Sequence, residues 1–74
     1  MKGYKRTAFT NEEIARAKCV RCGAPAYSQW QACADGGKYR PLCKECDIAL
    51  NEMVLRWMGF AGVEQKIAKY KESL

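Results

Sequence analysis

The chain contains no histidine. That absence removes imidazole as base, acid, nucleophile or metal ligand, and with it Ser-His-Asp triads and His-metal hydrolytic sites. No apolar run is long enough to span a bilayer. Met1 to Thr10 are basic and lack the apolar centre of a secretory leader. A reducing, cytoplasmic compartment is therefore expected, where paired cysteines serve metals more often than disulfides. Bulk is scarce too: 74 residues make one domain, too small to fold easily by packing alone.

What the chain does have is five cysteines, four of them in two pairs. Cys19-Val20-Arg21-Cys22 and Cys43-Lys44-Glu45-Cys46 form a C-x2-C, twenty-residue, C-x2-C pattern. Four thiolates closing on one Zn2+ would supply the stability that a small core lacks, because a structural site adds its binding energy to folding. The odd total argues against a disulfide framework. Rubredoxin-like iron and a redox C-x2-C pair are the alternatives. The first expects a second knuckle glycine, which is missing here, and the second does not need two matched pairs. Cys33, the fifth cysteine, reads as a small buried hairpin residue, with an extra ligand or a reactive thiol as the sharper alternative.

Local patterns order the elements. Residues 1–9 carry Lys2, Lys5 and Arg6 and no acid, and read as a mobile basic arm ahead of a single domain over 10–74. Thr10-Asn11-Glu12-Glu13 is a capping box, predicting a short helix over 11–18 with Ile14 and Ala17 inward. Gly23 after Cys22 permits the left-handed turn of a metal knuckle. Tyr27–Cys33 and Lys38–Leu42 read as strands joined at Asp35-Gly36-Gly37, with Pro41 at a strand end or sheet edge.

A helix over 44–58 follows, its apolar face formed by Ile48, Leu50, Met53, Val54, Trp57 and Met58 and its end capped at Gly59. A last helix over 62–73 has the stripe Val63, Ile67, Tyr70 and Leu74. Two ligands would then come from a knuckle and two from the first turn of a helix, where the dipole favours thiolate. The expected fold is a small α+β zinc-stabilised domain of treble-clef type, with a short N-terminal helix and an extra C-terminal helix.

Gly37-Lys38-Tyr39-Arg40-Pro41-Leu42-Cys43 and Cys46-Asp47-Ile48-Ala49-Leu50, with the knuckle before them, resemble the treble-clef core of recombination endonuclease VII and related His-Me finger (HNH-type) nucleases. The chain is also similar to small phage zinc-finger proteins. The resemblance implies a fold and an ancestry. It does not imply the activity, because the family's hairpin histidines are replaced at about Ala32 and Ala34, leaving Asp35 alone. A closed four-cysteine site offers neither an open metal position nor a base, so a non-enzyme is expected.

Two functions fit. With 13 basic and 8 acidic residues the formal charge is +5, which zinc on four thiolates lowers by two. Lys18, Arg21, Lys38, Arg40 and Lys44 would form a basic face near the metal, with Trp30 and Tyr39 available to stack. That describes a nucleic-acid module making mainly phosphate contacts. The alternative is a protein-interaction module or small phage-type regulator, monomeric or homodimeric, that docks on a host or viral complex. It would use Trp57, Met58 and Phe60 unless these, with Met53, pack between the two C-terminal helices.

Overall fold

The computed structural model describes residues 5–74, and the basic arm's first four residues lie outside them. The element order is α1 (Asn11–Arg16), β1 (Ser28–Gln31), a 3-10 turn (Cys33–Asp35), β2 (Tyr39–Leu42), α2 (Lys44–Trp57) and α3 (Val63–Glu72). The result is a small α+β chain with a two-stranded antiparallel sheet.

The capping box forms as the sequence predicts. Thr10 Oγ1 accepts from the Glu13 amide at 3.2 Å, and Glu13 Oε1 accepts from the Thr10 amide at 2.9 Å. Two N-terminal donors of α1 are thus satisfied, and Ile14 turns inward, buried. The helix ends at Arg16, two residues early, because Ala17 is extended and receives the Ala26 amide at 3.0 Å. Lys5 is tied down as well. It exchanges backbone hydrogen bonds with Tyr39, and its ammonium contacts both Glu13 carboxylate oxygens, at 2.7 and 2.8 Å.

Between α1 and β1 the chain makes a tight knuckle. The Gly23 amide donates to Cys19 O at 2.9 Å, the Cys19 amide donates to Ala24 O at 2.7 Å, and Gly23 has φ +83°. The Val20 amide then reaches Pro41 O at 2.9 Å, which fastens the knuckle to β2.

The strands are shorter than the sequence predicts. Pairing runs from Ser28–Leu42 to Gln31–Tyr39, and the link is a seven-residue loop containing the 3-10 turn rather than a tight Asp-Gly-Gly hairpin. Gly36 and Gly37 both take positive φ there, and Arg40 grips Asp35 across the loop. Cys33 therefore sits exposed in the turn, not buried in a strand. Pro41 lies inside β2 and is fully buried. Its carbonyl faces the knuckle, away from β1, so its missing N–H removes no bond from the ladder.

The core is small and centred on sulfur. Cys19, Leu42, Cys43 and Cys46 form one buried cluster, with Ala24 and Leu50 packed against it. Val63 and Ile67 of α3 are buried, while Tyr70 and Leu74 are half-buried.

The apolar face predicted for α2 is only partly covered. Ile48, Leu50 and Val54 are half-buried, but Met53, Trp57, Met58 and Phe60 are 61%, 84%, 59% and 50% exposed. They do not form a core between the helices. The ten-residue α3 begins only at Val63 and covers the side of α2 that bears Asp47, leaving the far end of α2 in solvent.

Candidate metal centre

Cys19 and Cys22 come from the knuckle. Cys43 follows β2 directly as the N-cap of α2, and Cys46 lies in the first turn of that helix. Folding brings the four sulfurs within 4.8 Å of one another. Cys22 Sγ lies 3.6 Å from Cys43 Sγ and 3.8 Å from Cys46 Sγ. A tetrahedron with zinc–sulfur bonds of about 2.3 Å has an edge of about 3.8 Å. Those two separations match the spacing a tetrahedral Zn2+ requires, and none of the four thiols is in a disulfide. Three are buried and Cys22 is exposed.

The electrostatics favour a cation at the centre. Burial opposes ionisation of Cys19, but backbone N–H groups of Cys43, Cys22 and Arg21 donate to its sulfur and draw it down to about 6. Cys46 is pushed up to about 12, by burial first and then by the sulfurs of Cys43, Cys19 and Cys22. The Cys46 amide, 3.4 Å from Cys43 Sγ, favours the Cys43 thiolate, yet burial and the Cys22 thiol outweigh it and Cys43 rises too. Four thiols this close cannot all ionise unaided, and a bound dication reverses that balance.

Arg21, between the knuckle cysteines, points its guanidinium at the site: Nη1 lies 3.8 Å from Cys46 Sγ. Behind the site, Asp47 is buried and accepts a hydrogen bond from the Tyr70 hydroxyl. Neither contact follows from a sequence pattern. Tyr70 reads as one member of an apolar stripe, and Asp47 as a charge at a helix N-terminus.

The structure scatters the five basic residues in role. Lys18, Arg21 and Lys44 are exposed, each adjacent in sequence to a ligand cysteine. The Lys44 ammonium also lies 4.9 Å from the Tyr27 ring centre. Arg40 instead holds Asp35 bidentately, Nε to Oδ2 at 2.5 Å and Nη2 to Oδ1 at 2.6 Å. Those hydrogen bonds, with Lys38 adding its charge, hold the Asp35 carboxyl below its usual range. Trp30 is 41% exposed on β1, while Tyr39 is half-buried. Cys33 stands outside the four-sulfur cluster.

No family model, curated protein or solved structure matches this chain. Nor is any helix among the described residues long and apolar enough to cross a membrane.

The charge is divided along the chain in a way the total conceals. Residues 1–46 hold nine of the 13 basic residues and four of the eight acidic ones, which is the whole excess of +5. Residues 47–74 hold four of each. The half that holds the four-cysteine cluster is cationic, and the half with Trp57 and Phe60 is neutral.

Proposed function

We propose that the chain is a treble-clef zinc domain that binds nucleic acid, chiefly through phosphate, and carries out no catalysis. The succession of knuckle, hairpin and ligand-bearing helix supports the treble clef. The observation that carries the functional reading is the charge division: every excess positive charge lies in the half that holds the cysteines. Lys18, Arg21 and Lys44 are the side chains best placed to meet phosphate, and Trp30 is the aromatic available for stacking. Arg40 contributes to the hairpin through Asp35. That same pairing occupies the one carboxylate left from the resemblance to the His-Me finger nucleases, which supports a binding-only role and makes branched DNA a substrate to try.

A second reading is favoured by one specific observation. Trp57, Met58 and Phe60 lie in solvent, as an interface for another protein would require.

Electrophoretic shifts of zinc-loaded protein on duplex, single-stranded and branched DNA and on RNA, across a salt series, test the first reading. Binding should weaken steeply with salt, with a slope near −0.9 per phosphate neutralised on duplex DNA. Charge reversal at Lys18 and Lys44 should reduce both affinity and slope. A zinc-loaded protein that shifts none of these at low salt would remove nucleic-acid binding and leave the protein-docking reading.

A further inference from the structure

We propose that the apolar end of α2 is a self-association surface, covered in solution by a second copy of this chain. Helical spacing puts Cys46, Leu50, Met53 and Trp57 on one stripe, at i, i+4, i+7 and i+11. The stripe begins in the metal cluster and ends in open solvent. Its first half lines a groove of about 260 Å³ with Leu42 and Arg21. Its second half, Met53 and Trp57, continues onto Met58 and Phe60 at the turn into α3, and all four are at least half exposed. From α3 the Lys66 ammonium approaches Phe60, yet all four stay exposed, and Tyr70 holds α3 on the Asp47 side.

Charge decides between occupants. The surroundings of the patch are balanced: Arg56 pairs with Glu52 at 2.9 Å and Glu64 at 3.4 Å, and the Lys66 ammonium lies 5.7 Å from the Phe60 ring centre. With four acids and four bases over residues 47–74, this half has no net charge to draw a polyanion or an anionic bilayer. For the same reason it does not repel an identical copy, as the cationic half would. A two-fold pairing uses one patch twice and needs no second surface.

Area is consistent with this occupant. Side chains of these sizes at these exposures present roughly 500 Å² per copy. Two copies would bury about 1,000 Å², the lower limit for a specific interface, and homodimer interfaces are the apolar, aromatic- and Met-rich kind. Burial of this patch would also relieve the shortage of core in so short a chain. The dimer goes beyond the nucleic-acid reading and is independent of it, although two cationic halves on one polymer would raise avidity.

The test is sedimentation equilibrium of the zinc-loaded full chain over the micromolar range. The expected mass rises with concentration toward twice the 8.4 kDa of the chain. Trp57→Asp and Met53→Lys, each at an exposed site, should raise the dissociation constant by about tenfold or more. Zinc content and far-UV circular dichroism should stay unchanged. If either variant loses zinc, the other decides. A chain that remains at 8.4 kDa throughout would overturn the proposal and leave the patch to a different protein. So would a dimer undiminished in both variants. Neither result bears on whether the protein shifts nucleic acid.

Discussion

The Tyr70 hydroxyl of α3 donates to the Asp47 carboxylate of α2, one residue beyond the ligand Cys46. This contact fixes the C-terminal helix against the back of the four-cysteine cluster, and Asp47 is 5% exposed. Tyr70→Phe would leave a buried carboxylate without this donor, which costs about 1–3 kcal/mol. The pH dependence follows from the tyrosine. The Asp47 carboxylate, then burial, push its hydroxyl up to about 12 from an ordinary value of 10.0. Between those values the folded chain keeps a proton that the unfolded chain has lost. The contribution of Tyr70 is therefore complete below pH 10 and fades toward pH 12. Denaturant midpoints should show the wild type approaching Tyr70→Phe over that window. A difference between them that stays constant through pH 12 would refute the linkage.

Metal removal should abolish the fold rather than loosen it. The buried cluster around the site consists of three cysteines and Leu42, so without the ion its centre is thiol rather than hydrocarbon. Zinc binding to comparable small sites is worth about 10–16 kcal/mol at neutral pH, more than a domain of this size can replace. Chelation should convert the far-UV spectrum to that of an unfolded chain, and zinc should restore it at one ion per chain. Cys33→Ser should retain that stoichiometry, because Cys33 is outside the cluster. Cys19→Ser should not. Metal analysis of the two variants checks both.

Arg21 should govern how firmly the ion is held. Its guanidinium donates toward the Cys46 sulfur at 3.8 Å and offsets part of the negative charge of a zinc tetrathiolate. Arg21→Ala should weaken zinc retention by about tenfold or more, as loss of outer-shell partners generally does, and Arg21→Lys should recover part of it. Competition with a chromogenic chelator measures this directly. Equal retention in the alanine and lysine variants would show that Arg21 is a surface charge.

The start of the domain should depend on its capping box. Thr10→Ala removes the acceptor for the Glu13 amide and should cost about 1 kcal/mol. The loss should appear first as faster amide exchange across α1, since the box closes that six-residue helix. Unchanged exchange at Glu13 would contradict the assignment.

Much of the fold is legible in short-range pattern. The capping box, the knuckle glycine, the ligand spacing and the glycine after α2 each specify a backbone conformation within a few residues. Each appears where its residues predict it, and Gly59 takes φ +79° at the end of α2. The four clustered cysteines are legible for the same reason: C-x2-C is a local geometry, and two copies in so short a chain have one economical way to meet.

What pattern misses is what depends on distant partners. Periodicity assigns Met53, Trp57 and Met58 to a core because it registers only that α2 has an apolar side. Whether anything lies against that side depends on the length and placement of α3, and Tyr70 and Asp47 fix that placement across 23 positions of sequence. Cys33 is exposed because the Arg40–Asp35 pair shapes a loop where alternation predicts a strand. The sequence by itself determined the two C-x2-C turns and the order of elements, because both follow from bonding within a turn or two. Tertiary structure alone decided which apolar and charged side chains are left facing solvent, because that depends on which surfaces packing removes from water.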